Sequence, residues 1–260
     1  MRDVPSVVDA AWLREHLGDQ AVFVGDVRGP GAHARGHIRG AKPLVLGSPP
    51  PMSDEEVIAA LAKEVGLRLR RHGVTGDELL VLYDRGDGVG AMPSAQLAEL
   101  AGHPAVAVLA GGVAAWPEEL EVGAAELTPV KTELEPRLEA LPTRDEISRG
   151  LGSIALLDIR TEDEYRGRGG YPCDPRQGHI PGACRVDEES LFEGPGLPRP
   201  AAEVREVVGE PDGADLVTYC HSGSRSARAT LALRAAGYRA RNYAGSWHEW
   251  SRHPELPLER

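Results

Sequence analysis

The sequence predicts an α/β fold made twice: two similar domains, each a mostly parallel sheet with helices on both faces. Three observations carry this. Four motifs recur in the same order along the 260 residues. Short apolar runs alternate with segments of helical period, the pattern of a parallel sheet with crossover helices. Near-continuous apolar runs such as LLVLY (79–83) suit strands buried on both faces.

The repeats are visible by eye. VFVGDVR (22–28) resembles LLDIR (156–160), and GHIRGA (36–41) matches GHIPGA (178–183). VLYDRGDGVG (81–90) resembles VTYCHSGSRS (217–226), and LAGGVAAW (109–116) resembles YAGSWHEW (243–250). The offsets run from 132 (Arg28 to Arg160) to 142 (His37 to His179). Four ordered matches are improbable by chance, and two copies at this spacing mean two domains rather than a solenoid.

In chain order, residues 1–19 read as a short strand or turn followed by an amphipathic helix, and the first copy continues to residue 124. The stretch EVGAAELTPVKTELEPRLEALPT (121–143) is rich in Glu, Pro and Thr and weakly periodic, so a surface linker is expected at 125–140. The second copy is expected at 141–260. In it, IALLDIR, RVD, LVTYC and RNYAG read as strands. SARATLALRAAG (226–237) has Ala and Leu at helical spacing, with Gly237 as its stop.

Hydrophobic residues make up 41% and charged residues 27%, ordinary for a globular chain. The net charge of −11 and the lack of a basic block argue against nucleic acid or an anionic membrane as main partner. A small anionic substrate remains compatible, because a local site can be positive on an acidic protein. No apolar run approaches the roughly 20 residues of a membrane span. The N-terminal stretch lacks a basic segment followed by an apolar one, so a cytoplasmic protein is expected. Cys173, Cys184 and Cys220 are an odd number without C-x-x-C pairing. The expectation is therefore no disulfide framework, no metal and no cofactor. The oligomeric state is left open.

Cys220 stands where an apolar run stops and a helical stretch begins. In open α/β sheets the reactive crevice lies beyond the carboxyl ends of the strands. Small residues follow, Gly223 among them, so successive backbone N–H groups can form an anion-binding nest. A helix N-terminus adds unsatisfied donors and partial positive charge, and Arg225 adds a full charge. All three favour thiolate over thiol and make a separate general base unnecessary. A lone cysteine is often just a small buried hydrophobe. The strand-end position, polar loop and following arginine together favour a nucleophile instead.

The tandem plan, the D-x-R strand end, GH-I-x-G-A in both copies and the strand–Cys–loop–helix motif resemble the two-domain members of the rhodanese family of sulfurtransferases, over nearly the whole chain. The resemblance implies an inactive N-terminal domain and an active C-terminal one, and Asp84 stands where copy two has Cys220. It implies a sulfur donor, thiosulfate or 3-mercaptopyruvate, a persulfide on Cys220, and cyanide or a thiol as acceptor.

Around Cys220 the expected donor-binding residues are Arg225, which can bind a sulfonate, Arg160, Arg176, His221, Ser222, Gly223 and Ser224. Each has a plainer reading: solvation for Arg176 and His221, a structural pair with Asp158 for Arg160. Asp158, His37 and His179 read as structural. Trp247 and Trp250 could wall the cleft, with core packing favoured for Trp250. Cys173 and Cys184 read as a loop and a buried strand cysteine. Three rivals stand beside thiosulfate sulfurtransfer. A phosphatase or arsenate reductase cradle of the protein phosphatase type needs five residues between Cys and Arg, and here only His221, Ser222, Gly223 and Ser224 intervene. A non-catalytic sulfur carrier would look the same in sequence. 3-Mercaptopyruvate is kept open by the Ser222–Gly223 pair, whereas the arginines and the absence of a proton-donor series favour thiosulfate.

Overall fold

The computed structural model describes residues 5–209 and 215–260; the first four residues of the expected N-terminal strand or turn lie outside them. The first copy runs β1 (Val7–Val8), α1 (Ala10–His16), β2 (Val22–Asp26), α2 (Pro30–Arg35), β3 (Lys42–Pro43), α3 (Glu55–Arg71), β4 (Leu79–Tyr83), α4 (Ala91–Leu100) and β5 (Val106–Leu109). Asp9 starts α1 by accepting the Trp12 N–H at 2.7 Å. The strands form one sheet in the order β1-β5-β4-β2-β3, all pairs parallel. Leu80 to Tyr83 are fully buried, as the run LLVLY anticipates for a strand covered on both faces.

The second copy runs α5 (Arg144–Arg149), β6 (Ala155–Asp158), α6 (Glu162–Tyr165), β7 (Cys184–Arg185), β8 (Phe192–Gly194), β9 (Leu197–Pro198), α7 (Ala201–Val208), β10 (Asp215–Tyr219), α8 (Ser224–Ala235), β11 (Arg239–Asn242) and α9 (Ser246–Trp250). Its parallel sheet has the order β11-β10-β6-β7. The strand expected at RVD (185–187) lies one residue earlier, so Cys184, expected buried, is exposed at its start. The helix α8 begins two residues before the expected Ser226, because Gly223 turns the chain with φ 89°. It closes before Gly237, whose φ of 94° is the left-handed stop expected of that glycine.

Contacts divide the chain into two compact units. One takes the chain up to Ser48, Ala59–Leu138 and Gly194–Leu197; the other takes Pro49–Ile58, Glu139–Glu193 and Pro198–Arg260. Residues 124–137 carry no helix or strand. Part of this stretch is tied to the first unit: the Val130 N–H donates to Arg70 O (3.0 Å) and the Arg137 N–H to Leu100 O (2.9 Å). Each unit has a core built from the repeated motifs. Ile38, Val81, Tyr83 and Trp116 lie in the first, and Ile180, Val217, Tyr219 and Trp250 take the matching places in the second. In both, a buried tyrosine hydroxyl accepts the N–H of the GHI isoleucine: Tyr83 from Ile38 at 3.2 Å, Tyr219 from Ile180 at 3.1 Å. No helix among the described residues is long and apolar enough to cross a membrane.

Candidate active site

Cys220 follows the last residue of β10, at the carboxyl edge of the sheet. Both its backbone groups are tied to the start of α9: its N–H donates to Ser246 Oγ (3.1 Å) and its carbonyl accepts from the Trp247 N–H (3.0 Å). Ser246 holds a left-handed φ of 53°, a conformation that costs about 1–3 kcal/mol for a non-glycine residue. Its hydroxyl compensates by also donating to Tyr243 O at 2.8 Å. Cys220 is thus seated on a loop whose backbone is fixed from outside.

Cys220 is 1% exposed, and its sulfur lies beneath its loop. Two donors address Sγ: the Gly223 N–H at 3.2 Å and the Ser226 hydroxyl at 3.3 Å. Gly223 could be nothing else, since a Cβ there would sit 2.8 Å from Ala244 O. The helix α8 starts at the next residue and directs its first-turn N–H groups at the same region. The loop can therefore stabilise an anionic sulfur without a base.

Arg225 stands in the first turn of α8, against the helix dipole, and the structure explains how it is tolerated. Its guanidinium makes a two-pronged pair with Glu164, Nη1 to Oε2 at 3.0 Å and Nη2 to Oε1 at 2.8 Å. Burial alone would raise the Glu164 carboxyl. The Arg225 hydrogen bonds and the Thr161 N–H overcome it and hold the group at about 2. Burial likewise works against the charged Arg225, and Glu164 with the negative charge of Cys220 holds its protonation above the ordinary arginine value.

The first copy shows the same position filled differently. Asp84 is 5% exposed. Its Oδ1 accepts from the N–H groups of Gly86 (2.9 Å) and Gly88 (3.4 Å), and its Oδ2 from Gly90 and Ala91 (3.0 Å each). The carboxylate is itself the anion in the nest and carries no sulfur to transfer.

Comparison with known proteins agrees with this duplicated geometry. The family described as Rhodanese-like domain matches twice, at residues 9–119 and 143–253. The chain belongs to the rhodanese family. It is 30% identical to a thiosulfate sulfurtransferase of Azotobacter vinelandii, over 98% of this chain and 97% of the relative. It is 35% identical to a probable 3-mercaptopyruvate sulfurtransferase of Pseudomonas aeruginosa, over 75% of this chain and 72% of that one. A crystal structure titled as a probable thiosulfate sulfurtransferase superimposes with a TM-score of 0.75 at 32% identity, covering 94% of this chain and 99% of that one.

Not every residue singled out in this rhodanese sequence reaches the nucleophile. Arg160 is 2% exposed. Its Nε and Nη2 bond Asp158, Nη2 also donates to Gly178 O at 2.7 Å, and its guanidinium lies over the Trp247 ring. Arg28 of the first copy repeats this geometry on Asp26 and Gly36 O. A contact that recurs where Asp84 stands in place of the cysteine does not depend on that cysteine, and the structure commits the Arg160 guanidinium to Asp158 and Gly178 O. Arg176 is committed too: it donates to the carbonyls of Ser251, Leu256, Trp250 and His253 at 2.5–2.9 Å. It fastens the C-terminal segment instead of facing a donor or bare solvent. Trp247 is fully buried with its indole N–H on Arg176 O, so it packs the core and walls no cleft. Ser222 is half-buried and Ser224 exposed, and neither hydroxyl bonds Sγ among the described residues.

Three residues that the sequence did not single out belong to the site: Ser226, Glu164 and Ser246. The signal for Glu164 was present as T-x-x-E (161–164), a helix-capping box that the structure contains. Its pairing with Arg225 had no local signal. His221 is not turned to solvent: it stacks on Tyr171 with centroids 3.6 Å apart and places Nε2 3.2 Å from Asp174 Oδ2. Burial, assisted by the neighbouring His248, lowers its affinity for a second proton although Asp174 opposes this.

Proposed function

We propose that this chain is a thiosulfate sulfurtransferase, working through a persulfide on Cys220. The observation that carries the reading is the buried Cys220 sulfur held by the Gly223 N–H and the Ser226 hydroxyl at the start of α8, with Arg225 beside it. The Cys220 thiolate attacks the outer sulfur of thiosulfate. The donor's S–S bond breaks, its electron pair leaves with sulfite, and Cys220 carries a persulfide anion. Cyanide or a thiolate then attacks the terminal sulfur and regenerates the thiolate. Both steps are two-electron displacements at sulfur. The loop's donors stabilise the persulfide and the sulfonate oxygens as charge moves. A four-residue interval between Cys220 and Arg225, over a sulfur this deeply set, suits a compact donor. Arg225, aimed by Glu164, supplies the positive field, and the loop residues His221 to Ser224 frame the donor. The first domain, residues 1–124, is catalytically silent and is joined through 125–140 to the catalytic domain at 141–260. Three free cysteines fit a reducing, cytoplasmic setting.

A second donor, 3-mercaptopyruvate, is favoured by one observation. Its cleavage leaves an enolate that needs a proton, and the His221–Asp174 pair next to Cys220 is the proton-handling group that the sequence lacked. Loading the protein with thiosulfate, removing the excess and mapping the added sulfur by peptide mass spectrometry tests the mechanism: the sulfur belongs on Cys220, and Cys220→Ser should not turn over. Parallel kcat/KM values for the two donors test the assignment. A clear preference for mercaptopyruvate overturns the first reading in favour of the second. Sulfur on Cys173 or Cys184 overturns both.

A further inference from the structure

Beside the nucleophile loop, four side chains from three separate segments converge. Cys173 and Asp174 come from the loop after α6, His221 from the residue after the nucleophile, and His248 from α9. One ligand atom from each lies within 4.8 Å of every other. The contacts among them, counted to either oxygen of Asp174, are of ligand-to-ligand length. His221 Nε2 is 3.2 Å from Asp174 Oδ2, His248 Nδ1 is 3.1 Å from Asp174 Oδ1, and Cys173 Sγ is 3.8 Å from Asp174 Oδ1 and 3.9 Å from His221 Nε2. Metal–ligand bonds of about 2.0–2.3 Å in a tetrahedron put N and O ligands about 3.3 Å apart and sulfur about 3.6 Å from them.

A plain ion-pair network is the alternative, and one atom argues against it. The Asp174 side chain is 1% exposed, yet its Oδ2 accepts no well-directed hydrogen bond and is faced only by His221 Nε2 at 3.2 Å. A buried carboxylate oxygen without a well-formed hydrogen bond is costly and rare. Oδ1, in contrast, already accepts from Arg252 Nη1 at 3.1 Å, and Arg252 Nη2 donates to Cys173 O at 2.6 Å. Arg252 thus sets the carboxylate's orientation from outside, as outer partners of metal ligands do. Tyr171, stacked on His221, fixes that ring. The first copy has Arg85 and Ala114 at the places of His221 and His248, so the cluster accompanies the nucleophile alone.

We propose that Cys173, Asp174, His221 and His248 form a metal site for a borderline-soft divalent cation of the zinc class. One thiolate, two imidazoles and one carboxylate are the donors such an ion prefers in a tetrahedral shell. On loading, the Cys173 thiol proton goes to water. The proton that His248 shares with Oδ1 moves to its Nε2, and Oδ2, otherwise faced only by His221 Nε2, gains a bond to the ion. The ion fastens the loop after α6 to the residue adjoining Cys220, which makes the site a means for metal to act on sulfur transfer.

The full chain, stripped with chelator, is titrated with cobalt(II) chloride and separately with zinc chloride. One cobalt per chain is expected, with tetrahedral visible absorption and a thiolate-to-cobalt charge-transfer band in the near ultraviolet. Zinc should displace it. Cys173→Ser should lose the charge-transfer band, His248→Ala should weaken zinc binding by about tenfold or more, and Cys220→Ser should keep both signals. Wild-type protein gives an independent measure, because zinc should slow alkylation of the exposed Cys173 and leave that of Cys184 unchanged. A band that survives Cys173→Ser but disappears in Cys220→Ser places the metal on the nucleophile and overturns the proposal. Absence of saturable one-to-one binding, or Cys173 alkylation indifferent to zinc, overturns it as well. None of these readouts depends on which sulfur donor the enzyme uses.

Discussion

Replacing Ser226 by alanine separates the hydroxyl that reaches the nucleophile from those that merely surround it. Ser226 is fully buried, and its Oγ lies 3.3 Å from Cys220 Sγ and 3.2 Å from Gly223 O. One proton cannot serve both acceptors at full strength, and a thiolate would be the stronger of the two. Gly223 O does not depend on this serine, because the Asn242 amide (3.1 Å) and the Ala227 N–H (3.0 Å) also donate to it. Truncation therefore leaves no carbonyl unpaired, and stability should change by less than about 1 kcal/mol. The thiolate loses one of two donors, and water cannot enter to replace it. A hydrogen bond to a charged group contributes about 1.5–3 kcal/mol. The diffuse charge of sulfur places this one near the lower end, about 1.5–2 kcal/mol, or roughly ten- to thirtyfold in kcat/KM. Steady-state thiocyanate formation from thiosulfate and cyanide measures it, with Ser222→Ala and Ser224→Ala in parallel. If either of those costs more than Ser226→Ala, or Ser226→Ala is indistinguishable from wild type, the assignment of the sulfur's hydroxyl donor is refuted.

Glu164→Gln should flatten the acid limb of stability. The carboxyl sits at about 2 in the folded protein against an ordinary value of about 4.3. Its stabilisation is present above the ordinary value and is lost as pH falls toward 2, amounting to about 3 kcal/mol at most; urea unfolding at pH 7 and through pH 4 to 2 reads it. Arg176→Lys cannot span the four carbonyls that Arg176 bonds. It should lower stability by about 2–4 kcal/mol while thiosulfate kcat/KM, measured well below the unfolding transition, stays within roughly threefold; a large kinetic loss in a stable variant would return this arginine to the donor site. Asp84→Ala strips four N–H groups of their acceptor and should destabilise by about 2–4 kcal/mol. Sulfur loading of Cys220 should remain detectable, and its complete loss in a folded Asp84→Ala protein would contradict a silent first domain.

The two sheets, their parallel strands and the place of Cys220 were legible because each depends on local pattern: apolar runs of strand length, helical spacing, and a small-residue loop at a strand end. What the sequence left unread were choices of partner across long separations. Arg225 looked like a free donor-binding cation, and whether it was free depended on Glu164, 61 residues upstream. Arg176 sits among charge and glycine, which looks like a solvated loop until that loop closes over four C-terminal carbonyls. The cluster of Cys173, Asp174, His221 and His248 has no motif spacing, because only the fold brings its segments together. A search for C-x-x-C or paired histidines could not find it.

The duplicated chain contains its own control, and it bears on why Cys220 can react. The Asp–Arg pair at the strand end and the buried tyrosine on the GHI turn occur in both copies with nearly the same distances. They position a loop whatever that loop then does. The difference lies in how fully the anion at the strand end is satisfied. Asp84 accepts four backbone N–H groups, which are thereby withheld from a ligand. Cys220 Sγ takes one N–H and one hydroxyl. The first-turn N–H groups of α8 have no carbonyl within their own helix to bond. A thiolate saturated with donors would be stable and poorly nucleophilic, since nucleophilicity falls as the anion is stabilised. Two donors hold the anion while its remaining lone pairs stay available for attack. The spare N–H groups await the sulfonate oxygens and then the charge on the outer persulfide sulfur, which lies one bond further from Cβ than Sγ does. The same nest that Asp84 closes is, around Cys220, kept partly open for the atoms that move.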